Sequence, residues 1–223
     1  MTHDSRRTWA APAELIDTLR RARHLYRPRG IGQGHELYRQ GERSTKFFLI
    51  DSGLIKISIY REDGTEVILE FMGAGTVCGE GAALDGLARF SSAVAVEKTE
   101  VLEFDTAQWT ADQEGIAPVL MALMRITALK QRVLALRVEQ LFSREPEGRI
   151  LELFHRLAVM APTVPASSVG LLPQLTHEHI AAMTGMTRVT VTRALHRLRS
   201  RGNITQVDGR FRLGIADQAR NGT

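Results

Sequence analysis

Cysteine is nearly absent: the 223 residues hold one, Cys78. A single thiol excludes an intrachain disulfide, and it excludes any iron–sulfur cluster that draws several thiolates from one chain. No apolar run approaches the ~18 to 20 residues that a bilayer-spanning helix needs. The N-terminal Met1-Thr2-His3-Asp4-Ser5-Arg6-Arg7 lacks the apolar core of a secretory signal, so a cytoplasmic location is expected. No serine, cysteine or carboxylate constellation suggests catalysis, and the chain reads as a non-enzyme. Metal ligands are missing too: His177 and His179 stand two apart, about 200° around a helix, and cannot share an ion.

What is present is an ordinary globular composition, 43% apolar and 24% charged, on a length that suits two modest domains. The net charge of +4 is mild, but its distribution is not: Arg188 to Arg212 holds seven arginines against one acid, Asp208. A polyanion would sit there.

Residues 14–27 carry helical spacing, stopped by Pro28-Arg29-Gly30. From about Gly32 to Phe104 the period becomes two, in Phe47–Ile50, Leu54–Tyr60, Val67–Phe71, Ala93–Val96 and Val101–Phe104, with turns at Asp51-Ser52-Gly53 and Glu62-Asp63-Gly64. Short strands of this kind predict a β-sandwich or roll. A long helix is expected from about Ile116 to Phe142. One stripe, Leu120, Met124, Thr127, Gln131, Leu134, Val138 and Leu141, steps by four and three like a coiled-coil seam. A second, Val119, Leu123, Ile126, Lys130, Val133 and Leu136 or Arg137, lies on an adjacent face. Two apolar faces imply two surfaces to bury, one on the β domain and one on a second copy. Arg144-Glu145-Pro146-Glu147-Gly148 breaks this helix, Arg149–Val159 forms another, and 161–174 reads as a loop. The domain boundaries expected are 1–113, 114–143 and 144–223.

Thr176–Met183, Thr184-Gly185-Met186 and Thr187–Arg199 have helix-turn-helix length, with Thr176 and Thr187 as N-caps. Ile180, Ala181 and Met183 would meet Val191, Ala194, Leu195 and Leu198. The opposite face then presents Arg188, Val189, Thr192, Arg193, His196 and Arg199, with Thr190 and Arg197 at its border. Arginine can grip guanine O6 and N7, and small apolar groups can touch a thymine methyl. Ile204–Val207, Asp208-Gly209 and Arg210–Leu213 form a hairpin signal, a wing whose Arg210 and Arg212 would reach phosphate. His177, at the start of its helix, is expected near phosphate.

These residues, with Gly53, Gly64, Gly75, Gly79-Glu80 and the Gly148-Arg149-Ile150 junction, resemble the cyclic-AMP receptor and fumarate-nitrate-reduction (Crp/Fnr) superfamily over about residues 14–214. The resemblance implies an α+β fold: a cyclic-nucleotide-binding-like β-roll, a long dimerisation helix and a C-terminal winged helix-turn-helix. It implies a homodimeric, sequence-specific transcription regulator, most naturally an activator, that binds a palindrome in double-stranded DNA. By the same analogy it touches RNA polymerase through a surface loop near Ala161–Ser168. Thr187-Arg188-Val189-Thr190-Val191-Thr192-Arg193 is especially similar to the nitrogen-control branch. Val189 stands where the receptor branch has a cytosine-reading glutamate, so GTA and TAC arms are expected, centred about 34 Å apart.

In the family a glycine-rich helix after Gly75 holds a ligand phosphate with its N–H groups and an arginine, while a glutamate holds the ribose. Here Gly79, Glu80 and Ser91 match. Phe90 falls where the receptor branch has its arginine, with Arg89 displaced by one, and Leu134 and Ala135 replace its adenine-contacting hydroxyls. Arg89-Phe90-Ser91 and Lys130 align better with the 2-oxoglutarate-binding branch, although its glutamate aligns with Ala135. The effector is left open between a cyclic nucleotide, 2-oxoglutarate, an unidentified ligand and none. Cys78 reads as a buried structural thiol or else as a redox thiol or haem ligand. A second functional reading, a ligand-binding module acting on a protein partner with an incidental basic C-terminus, predicts no salt-sensitive duplex binding.

Overall fold

The computed structural model describes residues 9–110, 114–141, 145–160 and 171–214. The chain forms two compact units, one spanning 9–132 and the other 133 onward, so the boundary falls inside the long helix.

The first unit holds two four-stranded antiparallel sheets. One has the order β1 (Tyr26–Ile31), β8 (Thr99–Asp105), β3 (Lys46–Ser52), β6 (Val77–Cys78). The other runs β2 (Glu36–Tyr38), β7 (Ser92–Ala95), β4 (Leu54–Tyr60), β5 (Glu66–Gly73). The run Phe47-Phe48-Leu49-Ile50 is apolar throughout because both faces of β3 are covered. Phe48 and Ile50 enter a core with Ile55, Ile57, Met72 and Cys78 from between the sheets. Phe47 and Leu49 turn the other way, toward Leu15, Leu19, Val119, Leu123 and Ile126 of two helices, α1 (Ala13–Arg21) and α3 (Ile116–Leu141).

Three local expectations are corrected. The first helix ends at Arg21, not near 27, and Pro28 lies inside β1. An edge position, with β8 as the sole neighbour, tolerates a residue that cannot donate to a ladder. Pro146 does not break a helix but begins one, α4 (Pro146–Met160), where its missing N–H has no intrahelical role. The strands β2 and β6, three and two residues long, are too short to display a period.

The glycine-rich segment forms the short α2 (Glu80–Asp85). Gly53 sits at φ 91°, and a Cβ there would collide with Thr99. The α3 stripes separate over most of their length: Val119, Leu123, Ile126 and Val133 are buried, while Leu120, Met124, Leu134 and Val138 are exposed; Leu136, expected on the second stripe, is exposed as well. No helix among the described residues is long and apolar enough to cross a membrane.

The second unit packs α4, α5 (His177–Thr184) and α6 (Arg188–Ser200) with the hairpin β9 (Ile204–Val207) and β10 (Arg210–Leu213). Phe154 of α4 and Phe211 of β10 meet with ring centroids 5.1 Å apart.

Candidate nucleic-acid interface

Two threonine caps set the helix-turn-helix. Thr176 Oγ1 accepts from the His179 N–H at 3.1 Å, and the His179 ring accepts from the Thr176 N–H in return. Thr187 Oγ1 accepts from the Thr190 N–H at 3.2 Å, so each helix has an orphan donor satisfied. Gly185, at φ 67°, ends α5 in the left-handed conformation a side chain would resist. Ile180, Val191, Ala194, Leu195 and Leu198 are all buried, as their spacing predicted, while Ala181 and Met183 of the same predicted set are only half-buried. Asp208 at φ 50° and Gly209 at φ 76° make the tight turn of the wing.

The outward face of α6 carries Arg188, Val189, Thr192, Arg193, His196 and Arg199, all exposed. Val189 is 60% exposed and presents its methyl groups on this face. Among the described residues, Arg193 and His196 make no hydrogen bond or ion pair. A cation without a protein partner beside exposed methyl groups is what guanine and thymine edges require.

The structure redistributes several other expected contacts. Arg197 is tied to Glu147 of α4, whose carboxyl it holds below the usual carboxylate range, and so links α6 to α4. Arg210 is half-buried and donates from Nε to the Leu172 carbonyl at 2.8 Å, securing the segment ahead of α5. Arg212 is also half-buried, where its backbone bridges to Leu171. Arg210 therefore braces the fold with its side chain, and β10 does so with its backbone, because Leu171-Leu172 lies alongside it. Arg199 donates to Gln206 of β9 at 3.0 Å. His177 does not project alone toward phosphate: its Nδ1 lies 2.9 Å from Thr192 Oγ1. Glu178 holds the Nε of Arg188 at 3.0 Å. Glu147 and Glu178 were not foreseen; their partners lie far along the chain, and no local pattern marks them.

In the first unit the effector candidates gather around α2. Arg89 is buried, its guanidinium 4.1 Å from the Tyr38 ring centroid, and it donates to the carbonyls of Gly79 at 3.1 Å and Lys46 at 2.8 Å. Its Nε is buried without a hydrogen-bond partner. Ser91 and Glu80 are buried nearby, and Lys130 of α3 pairs with Glu80 while donating to the Val77 carbonyl at 2.6 Å. Lys130 is thus already matched to a carboxylate. Phe90 is 64% exposed and Leu134 47%, so neither is enclosed with this group. Tyr38, which sequence reasoning missed, completes the cluster, and burial pushes its phenol well above the ordinary value. The reactive reading of Cys78 is corrected: burial above all, then the Glu80 charge, pushes its thiol up to about 12. A thiol so placed is structural.

Comparison with known proteins matches residues 28–111 to the cyclic nucleotide-binding domain family and residues 148–220 to the Crp-like helix-turn-helix domain family. The chain is 30% identical over 170 residues to the cyclic AMP receptor protein of Thermus thermophilus, covering 76% of each. It is 29% identical over 196 residues to a CRP-like cAMP-activated global transcriptional regulator of Mycobacterium tuberculosis, covering 86% of this chain and 85% of the relative. In fold it resembles a CRP-family transcriptional regulator of Thermus thermophilus, with a TM-score of 0.68 at 24% identity over 87% of this chain and 97% of the other. The c-di-GMP responsive global regulator of Xanthomonas campestris gives a TM-score of 0.67 at 19% identity over 89% and 99%.

Proposed function

The chain belongs to the Crp/Fnr family of DNA-binding transcription regulators, and from that premise we propose that two copies occupy a palindromic duplex in the cytoplasm, each laying α6 in a major groove. The observation that carries this reading is the outward face of α6, where Arg193 and His196 have no partner among the described residues and stand beside Val189 and Thr192. Arg193 grips a guanine and the methyl groups meet a thymine, which supports half-sites with GTA and TAC arms about 34 Å apart. The sequence from Thr187 to Arg193, similar to the nitrogen-control branch, supports the same arms.

Pairing of two copies rests on α3. Leu120, Met124, Leu134 and Val138 form an exposed apolar seam, Met124 being 64% exposed, and a second α3 is the surface that fits its spacing. The chain then divides into a sensor domain, a dimerisation helix and a DNA-binding domain.

The effector we propose is a cyclic nucleotide. The domain family matched and the printed activity of the relatives support it, as does the clustering of Gly79, Glu80, Arg89 and Ser91. Arg89 would supply charge to phosphate, and Glu80, whose carboxylate can keep the Lys130 ammonium on one lone pair and accept on others, an acceptor to ribose hydroxyls. Its engagement with Glu80 makes Lys130 a poor second cation for 2-oxoglutarate. Activation through RNA polymerase remains a family analogy, because the contact loop 161–168 lies outside the described residues.

The test is selection of bound duplexes from a random pool by the full-length protein, alone, with cyclic AMP and with 2-oxoglutarate. A GTA-type palindrome enriched only with cyclic AMP is the expected result. Enrichment without ligand, or only with 2-oxoglutarate, overturns the effector assignment. No enrichment under any condition overturns the palindrome reading and favours a protein partner.

A further inference from the structure

The first turn of α5 grips the reading face of α6 in a way that decides what one of its residues can recognise. Thr192 Oγ1 donates to the Arg188 carbonyl one turn earlier at 2.9 Å. That bond uses its single proton, and with it made the 2.9 Å contact with His177 Nδ1 is satisfied by the imidazole tautomer that carries its proton on Nδ1. The hydroxyl thus gives one bond to its own helix and takes one from α5. Rotating it outward to meet a base would break both. With both bonds kept, the hydroxyl retains one lone pair that can accept but no proton to donate, and what the exposed threonine presents besides is its γ-methyl group; Val189, three residues earlier on the same face, presents only methyl groups. A hydroxyl in this position would otherwise accept or donate to almost any base edge. A methyl discriminates, because thymine alone offers a methyl in the major groove.

We propose that His177 is a positioning residue that holds Thr192 as an apolar reader of a thymine C5-methyl group, so that Thr192 specifies by its methyl and not by its hydroxyl. The inference rests on the reading of α6 as the groove-bound helix. It does not require His177 to touch DNA. Glu178, the next residue, holds the Nε of Arg188 and so acts on the same face from the same turn.

The experiment compares affinity of the full-length protein for its selected duplex with affinity for the same duplex carrying 2′-deoxyuridine in place of one thymine per half-site, scanned position by position. Deoxyuridine removes the methyl group and nothing else. At one position the wild type should lose about fourfold per half-site, the value of one buried methyl, or about fifteenfold for two symmetric half-sites. Thr192→Ser keeps both hydroxyl bonds and lacks the methyl, so its thymine-to-uracil ratio at that position should fall to about one. Thr192→Val, which cannot bond but keeps a methyl, should retain the ratio. His177→Ala should lower the ratio by releasing the hydroxyl, whatever it does to affinity overall. Because each ratio compares two duplexes on one protein, a loss of stability cancels. If Thr192→Ser keeps the wild-type ratio, or if only Val189→Ala removes it, the proposal is overturned while groove binding stands. If the wild type shows sequence preference but no uracil-sensitive position, the proposal also fails. Only loss of all sequence preference would overturn the reading of α6 itself.

Discussion

Replacing Lys130 with methionine removes an ammonium from a buried pair while keeping most of the stem that fills its place. The side chains of Lys130 and Glu80 are 11% and 12% exposed, and the ammonium also serves the Val77 carbonyl. The substitution leaves a carboxylate in a poorly hydrated site with its cation gone and a carbonyl without its donor. At an effective dielectric constant near 20, opposite charges at 4 Å attract by about 4 kcal/mol. Removing one member of a buried pair costs about 3 to 5 kcal/mol, since the survivor keeps its desolvation penalty. The double variant Glu80→Gln with Lys130→Met buries no charge and should cost about 2 kcal/mol less than the sum of the two single changes. The chain's two tryptophans, Trp9 and Trp109, both lie in the 9–132 unit, so tryptophan fluorescence in urea follows that unit alone. With a slope of roughly 2 kcal/mol per molar, Lys130→Met should lower the midpoint by about 2 M. A shift below about 0.5 M, or a double variant as unstable as the singles combined, would refute the claim that this pair is closed to solvent and mutually dependent.

The same assay applies to Gly53→Ala, which should cost more than about 2 kcal/mol: the residue has φ 91°, and the added Cβ would lie 2.7 Å from the Lys98 carbonyl oxygen. Cys78 should resist iodoacetamide in the native protein at pH 8 and react on unfolding. Because its folded value of about 12 exceeds the ordinary 9.0, the unfolded chain ionises first, and this group's contribution to stability should be lost as pH rises from about 9 to 12. Rapid native labelling would contradict its burial. Arg193→Ala should relax base preference at one position by about 1 to 3 kcal/mol in a duplex-variant titration. Arg197→Ala, by contrast, should lower the unfolding temperature of the DNA-binding unit and leave base preference unchanged, since Glu147 holds that arginine. Met124→Glu should yield monomers by light scattering if the α3 seam joins two copies; a persistent dimer would place the interface elsewhere.

Legibility followed the range of the interaction. The caps at Thr176 and Thr187, the Asp208-Gly209 turn and the buried face of α6 each depend on residues a few positions apart, and each could be read from the chain. The division of α3 into two apolar stripes was equally visible, because helical periodicity needs only the spacing. Pro28 was misread because its meaning depends on whether its strand has one neighbour or two, which is a property of the sheet.

The sequence by itself determined the family, the succession of a β-rich half, a long helix and a helix-turn-helix with its wing, and the outward face of the recognition helix, set by periodicity, local hydrogen bonding and recognisable motifs. Only the tertiary structure decided which of the chain's cations are committed to partners within the fold. Arg197 meets Glu147 across 50 residues, Arg210 meets Leu172 across 38, and Lys130 meets Glu80 across 50. A charge seen in sequence is a potential partner for many groups. Packing selects one of them, because only folding brings distant carboxylates and carbonyls within bonding distance and removes the competing water.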